Sequence, residues 1–173
     1  MLALFVTGLI AGGLLSGLVL GLLSGLSAPL PAPWRYAAMV ALAVLGLLRE
    51  LGLVPIRLPQ NARQVPQDVL QRSLRRGALQ FGFELGTGVR TYVSASAPYV
   101  LAAALLLGGQ QLGVAALAGV GFGVGRAFTP LARRASGDGD RWDAGLRSRL
   151  RTITVAGGAV LVAAFGLLAL RQW

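Results

Sequence analysis

The residues best suited to chemistry are two ionisable side chains, Glu84 and Arg90, which lead into a long apolar run interrupted by Pro98. Charged groups beside hydrocarbon are costly, and they persist where they pair, bind a ligand or line a wet cavity. On a straight helix, residues six apart differ by about 9 Å of rise and roughly 240° of rotation, so Glu84 and Arg90 cannot pair on one helix. Each therefore needs a partner from elsewhere, or the backbone unwinds between them.

The residues around this pair make unwinding plausible. Gly86 and Gly88 follow Glu84, and Pro98 removes a backbone hydrogen bond further along. A broken helix with polar backbone at membrane depth is how many transporters build a binding site. The predicted substrate or coupling site consists of Glu84, Thr87, Arg90, Thr91, Ser94, Ser96 and Pro98. In the alternative interpretation, residues 68–84 form an interfacial amphipathic helix and the span begins near Arg90. The sequence leaves both open.

The composition points to a membrane protein without familiar catalytic groups. The chain is 55% hydrophobic and 13% charged, with a mean hydropathy of +0.68, which lies outside the usual range of soluble domains. It contains no Cys, His or Lys, so thiol redox chemistry, imidazole proton relays and lysine nucleophiles are excluded. We therefore expect no enzyme activity, no cofactor and no metal site.

Uncharged stretches at 2–28, 91–125 and 152–170 are each long enough for a membrane-spanning helix. The first has no basic residue before Arg35 and exceeds a signal-peptide core in length, so we expect a mature helix. The predicted fold is all-α, a polytopic integral membrane bundle forming one transmembrane domain over 1–173. Its five helices are expected at about 3–27, 35–54, 79–107, 112–131 and 152–171, the third broken or kinked at Pro98.

Arginine distribution predicts the orientation of these helices. Five arginines lie within 55–77 and six within 132–151, both interpreted as loops. By the positive-inside rule both loops face the cytoplasm, with the N-terminus inside and the C-terminus outside a bacterial inner membrane. Topology and anionic lipid headgroups account for the +10 net charge. We therefore expect the bilayer as a partner, a possible cytoplasmic partner at these loops, and no nucleic acid.

Glycines at helical spacing predict two closely packed helices. In the first helix they recur every four residues, which keeps them near one face and lets another backbone approach. In the fourth they alternate and cannot share one face, so that helix is narrow all round or locally unwound. The contacts could lie within one subunit or between subunits of an oligomer. The predicted packing residues are Gly13, Gly17, Gly21, Gly25, Gly119, Gly121, Gly123 and Gly125.

From Trp34 onward, the order of features resembles the CcdA/DsbD-type membrane domain of the LysE-like transporter superfamily. The resemblance rests on an apolar helix that ends in an Arg-rich loop, on 82–88 (GFELGTG), on 97–105 (APYVLAAAL) and on 121–125 (GFGVG) closed by Pro130. The resemblance implies a small helical bundle with a transport-like architecture. Members of that family move electrons through paired intramembrane cysteines and usually have six spans. This chain has no cysteine, so disulfide reduction is not carried over.

Taken together, these features predict a small bacterial inner-membrane transporter or exporter component with its polar site on the third helix. Arg90 would bind an anionic group or counter Glu84, and Glu84 would be the protonatable coupling residue. The alternative is a non-catalytic membrane subunit that anchors or assembles a larger complex. The transporter is expected to be a homo-oligomer. In the alternative, the glycine faces would contact other membrane subunits and the Arg-rich loops would bind a soluble partner.

Overall fold

The computed structural model describes residues 1–58, 74–88 and 95–171. Within these ranges the structure is all-helical and contains no strand, which confirms the predicted fold class at that level. The helices are α1 (Leu2–Leu23), continued by a 3-10 turn (Ser24–Ser27), α2 (Ala32–Glu50), α3 (Leu74–Gly86), α4 (Ala97–Leu107), α5 (Leu112–Ala135) and α6 (Gly139–Leu170).

Among the described residues, three helical segments are long and apolar enough to cross a membrane: Leu2–Ser27, Leu112–Ala135 and Gly139–Leu170. Large apolar side chains on these segments are exposed, such as Leu117 at 72% and Val160 at 66%. Extensive apolar surface on so small a chain indicates a lipid-facing exterior rather than a water-facing one. These helices support a membrane location, whereas the count of five spans stays a prediction.

The predicted third helix, 79–107, is broken into two helices, which is one of the two forms that the sequence predicted for it. The first of them, α3, ends at Gly86, and Gly88 follows with φ of +72°, a left-handed conformation that stops a helix. The second, α4, begins at Ala97 with Pro98 in its first turn. Proline is favoured there because a first-turn N–H has no helical acceptor to lose. Pro98 therefore starts a helix instead of kinking one.

The predicted loop 132–151 is also mostly helical, which corrects the sequence interpretation. Helix α5 continues to Ala135 and α6 begins at Gly139. The turn between them is closed by Gly137, with φ of +71°, and by Asp138, whose Oδ1 accepts the Arg141 N–H at 3.0 Å. A carboxylate that caps first-turn N–H groups stabilises a helix start. The clustered arginines lie along helix surfaces and do not mark an irregular loop.

The described residues fall into two compact units, and the single transmembrane domain over 1–173 stays a prediction. The first contains α1 as far as Val19, together with α3 and α5; the second contains the remainder of α1, α2, α4 and α6 from Asp143.

In the first unit, α1 and α3 pack through paired glycines. A Cβ atom placed on Gly12 would lie 2.8 Å from the Thr87 nitrogen and 3.0 Å from the carbonyl carbon of Gly86. One turn earlier, Gly8 lies in the same way against Gly82. Because the residue numbers rise together, the two helices run parallel. Spacing of four on both helices is the arrangement that brings backbones into contact.

A second glycine face of α1 packs against α5. A Cβ on Gly17 would lie 2.9 Å from the Gly119 Cα, and one on Gly13 would lie 3.2 Å from the Gly123 Cα. Here the numbers run in opposite directions, so α1 and α5 are antiparallel. The contacts lie within one chain, and α5 remains a continuous helix instead of unwinding.

The remaining predicted packing glycines differ. Among the described atoms, nothing lies within 4 Å of a Cβ placed on Gly25, Gly121 or Gly125, and Gly21 is partly buried. Fewer glycines therefore pack against another helix than the eight predicted, because on α5 the glycines that face α1 alternate with glycines that face away from it.

The second unit is packed through side chains. Its core contains residues of α2, α4 and α6: Met39, Ala43, Val100, Ala104 and Phe165. Helix α2 runs antiparallel to α4, because Gly46 contacts Val100 near the start of α4 whereas Arg35 contacts Leu107 at its end. It also runs antiparallel to α6, since Leu47 contacts Gly158 while Met39 clusters with Phe165.

Candidate functional site

The predicted site residues fall into three groups. Glu84 and Thr87 belong to the first unit, and Ser96 and Pro98 belong to the second. Arg90, Thr91 and Ser94 lie outside the described residues, so the predicted role of Arg90 stays a prediction.

Thr87 and the backbone of Glu84 serve to end α3. The Thr87 hydroxyl donates to the carbonyl oxygen of Glu84 at 2.7 Å, and the Ser16 hydroxyl of α1 donates to the carbonyl oxygen of Thr87 at 2.9 Å. The Glu84 carboxylate accepts a hydrogen bond from the Gln80 amide, one turn earlier, at 3.2 Å. Carbonyl groups at a helix end lack helical hydrogen-bond donors. The Thr87 and Ser16 hydroxyls each donate a hydrogen bond to one of these carbonyl groups.

Ser96 has a partner that the sequence analysis missed, the Glu50 carboxylate at the end of α2. Glu50 Oε1 accepts the Ser96 backbone N–H at 2.8 Å and the Ser96 hydroxyl at 2.5 Å. Arg49 Nη1 lies 2.9 Å from the same Glu50 oxygen and donates to the Ser96 Oγ at 3.3 Å. Ser96 itself is buried, with 3% exposure. A carboxylate from α2 therefore binds the residue directly before α4.

This carboxylate lies where three helices of the second unit meet. Besides its bonds to Ser96, just before α4, Glu50 lines a groove together with Thr154 of α6, whose hydroxyl donates to the carbonyl oxygen of Arg151 at 3.1 Å. The Glu50 side chain is 11% exposed. A charge largely removed from solvent is tolerated where it is paired and hydrogen-bonded, and Arg49 and Ser96 provide those contacts.

At the other end of α4 lies a positive charge, which also comes from α2. Arg35, in the first turn of α2, donates through Nη1 to the carbonyl oxygen of Leu107 at 3.4 Å, and the Ser27 hydroxyl donates to the same oxygen at 3.4 Å. The macrodipole of a helix is positive at its N-terminus and negative at its C-terminus. Glu50 and Arg35 therefore match the two ends of α4 in sign.

Beside Glu50 lies an open groove, here called the basic groove, with a volume of about 490 Å³. It is bordered by α2, the segment after α2 and the beginning of the apolar part of α6, and its lining includes Arg49, Glu50, Ile56, Leu150, Arg151 and Thr154. Gly52, with φ of +79°, reverses the chain after α2, and Arg49 Nε donates to the carbonyl oxygen of Ile56 at 2.9 Å. These features give the groove a fixed wall.

The groove and the Glu50–Ser96 contact offer ionic and hydrogen-bonding chemistry. Across the described ranges, no group of three or more Asp, Glu, His or Cys side chains is close enough to hold a metal ion. The available groups are guanidinium donors, a carboxylate and hydroxyls, which suit binding of a charged solute or transfer of a proton at Glu50.

Comparison with known proteins adds no assignment. No family model, curated protein or solved structure matches this chain.

Proposed function

We propose that this chain is a small transporter or exporter component of a bacterial inner membrane, built around a discontinuous third helix. One observation supports the proposal above the others: a carboxylate of a neighbouring helix, Glu50, binds Ser96, the residue directly before α4. In many transporters the N-terminus of a broken helix faces the anionic group of the substrate, because its N–H groups and dipole favour negative charge. In this chain Glu50 would be an internal anion at that position.

Within each unit, the helix directions support the proposed count of five crossings. In such a topology the first crossing is parallel to the third and antiparallel to the fourth, as α1 is to α3 and α5. The second is antiparallel to the third and fifth, as α2 is to α4 and α6. The Arg-rich segments would then face the cytoplasm, with the N-terminus inside and the C-terminus outside.

Glu50 is the coupling residue in this proposal, a role that the sequence analysis gave to Glu84. A proton or an anionic solute would compete with the interaction that holds α4 in place. Protonation of Glu50 would remove the negative charge at the α4 N-terminus, and an anion that binds there would displace the carboxylate. Either event would change how tightly the start of α4 is held by α2.

Proton flux into vesicles tests this proposal. Purified protein would be reconstituted into liposomes that contain a pH-sensitive dye and then mixed with a series of small carboxylate and phosphate anions. We expect protein-dependent proton flux with at least one anion, lost in Glu50→Gln and retained in Asp140→Asn, a matched change at an exposed acid in the first turn of α6. Size-exclusion profiles would verify that both variants fold. Flux through Glu50→Gln equal to that of the unmodified protein would contradict the proposal.

The second candidate function is a non-catalytic membrane subunit, which the outward glycines of α5 favour. Gly121 and Gly125 are four residues apart and face open space among the described atoms, so a helix of another subunit could approach them closely. Purification from native membranes in mild detergent separates the two functions. Stoichiometric co-purifying subunits, together with no flux in vesicles, would favour the assembly role, whereas a homo-oligomer with flux would favour transport.

A further inference from the structure

The basic groove lies where apolar helix gives way to charged helix on both of its walls. On α2, Arg49 and Glu50 follow an uncharged run from Tyr36 to Leu48, and on α6, Arg151 precedes the uncharged run 152–170. In a membrane protein, such a boundary lies at the depth of the lipid headgroups. The groove therefore opens where phosphate groups are concentrated.

The charges in the groove favour an anion. Arg49 and Glu50 form an ion pair of 2.9 Å and offset each other. Arg151 is exposed, and within the described part of the chain it makes one long hydrogen bond, from Nη2 to the carbonyl oxygen of Leu51 at 3.4 Å. A guanidinium has five N–H donors in a planar fork that fits phosphate oxygens. Arg151 thus retains donors for a ligand, and Arg147 lies one turn earlier on α6.

The rest of the lining favours an amphiphile over a free ion. Val54, Ile56 and Leu150 line the groove beside Arg151 and the Thr154 hydroxyl. A phospholipid presents a phosphate and hydrocarbon together, and basic pockets between membrane helices on the cytoplasmic side bind anionic headgroups. We propose that the basic groove is a binding site for one anionic phospholipid, whose phosphate is bound by Arg151 and whose apolar part contacts Val54, Ile56 and Leu150.

Native mass spectrometry of the full chain in detergent tests the proposal, with dioleoylphosphatidylglycerol as the probe. We expect one such lipid retained per chain, at lower concentrations than zwitterionic dioleoylphosphatidylcholine. Arg151→Gln should weaken this binding by roughly tenfold more than Arg149→Gln, because a hydrogen bond to a charged group is lost only in the former. Arg149 is the matched control, since it is equally exposed on the same helix but does not line the groove. Arg151→Lys, which keeps the charge without the fork, should be intermediate.

Three results would overturn the proposal. Equal weakening by Arg151→Gln and Arg149→Gln would mean a general attraction between arginines and anionic lipid. Equal retention of the two lipids would mean that the groove does not select an anion. Displacement of the lipid by stoichiometric inorganic phosphate would identify a free-anion site instead of a lipid site. Because none of these measurements depends on proton flux, they stand apart from the transport proposal.

Discussion

The two units hold short helices by different means. In the first unit, α3 is fixed by backbone contact, with Gly8 and Gly12 of α1 against Gly82 and Gly86. In the second unit, α4 is fixed by charged side chains of α2 at both ends, Glu50 at the start and Arg35 near Leu107. Helix association in lipid lacks the hydrophobic driving force available in water, and it relies on close packing and interhelical hydrogen bonds. Each unit uses mainly one of these two means.

This difference has a consequence for function. A glycine-to-glycine contact is fixed by shape and has no group that titrates or exchanges partners. A carboxylate bound to a helix N-terminus can be protonated or displaced. The contact at Glu50 is therefore the one of the two that a change of pH or an added anion can alter.

The largest effect is expected from adding bulk to an inward glycine. Gly119→Leu would drive a side chain into the backbone of Gly13 and Gly17 and should destabilise the protein by at least about 3 kcal/mol, the upper part of the range for overpacking. Gly121→Leu is the matched control on the same helix, where nothing described lies within 4 Å. Unfolding in mixed detergent micelles, with folded yield, would measure both. Equal losses would show that α5 does not use one glycine face against α1.

A smaller but still large effect is expected at Glu50. Glu50→Ala removes the carboxylate that Arg49 and Ser96 share. Because the Arg49 and Glu50 side chains are partly exposed, at 22% and 11%, the loss should be about 1.5–3 kcal/mol, the scale of a hydrogen bond to a charged group. Ser96→Ala should cost less, because the backbone N–H of Ser96 still reaches Glu50.

The double variant Glu50→Ala, Ser96→Ala tests whether these two residues act together. Residues in one hydrogen-bond network show interaction energies of about 0.5–3 kcal/mol, so Glu50→Ala and Ser96→Ala should be clearly non-additive in unfolding free energy. Glu84→Ala changes a carboxylate that accepts a hydrogen bond from Gln80, one turn away. It should lower the unfolding free energy by less than Glu50→Ala does. If the losses of unfolding free energy in Glu50→Ala and Ser96→Ala simply add, Glu50 does not hold α4 through Ser96.

Sequence patterns predicted the parts of this structure that depend on local composition. Uncharged runs located α1, α5 and the apolar part of α6, and spacing of four identified the Gly13 and Gly17 face. The helical segment 139–151 was missed because a cluster of arginines looks the same on a helix surface as in a loop, and the cap by Asp138 was not recognised. Pro98 was interpreted as a kink because its position relative to the helix start depends on where the preceding helix ends.

The Glu50–Ser96 contact could not be predicted for a different reason. The two residues are 46 positions apart in the chain, and their meeting depends on the antiparallel packing of α2 and α4. One signal was available: Arg49 and Glu50 are adjacent charges inside a helix predicted over 35–54, and a carboxylate there needs a partner. The same argument was applied to Glu84, whose carboxylate accepts a hydrogen bond from Gln80 on its own helix.

The smallest effect is expected at the opposite end of α4. Arg35→Gln removes a positive charge near the carbonyl of Leu107, but the hydrogen bond is long, at 3.4 Å, and the Ser27 hydroxyl also donates to that oxygen. A favourable charge at a helix terminus is typically worth about 0.3–1 kcal/mol, so the unfolding free energy should fall by about that amount. Arg171→Gln, after the end of α6, provides the matched control and should change stability by less. A loss at Arg35 as large as that at Glu50 would mean that the two ends of α4 are held equally firmly. Glu50 would then lose its distinction as the end of α4 that a proton or an anion can release.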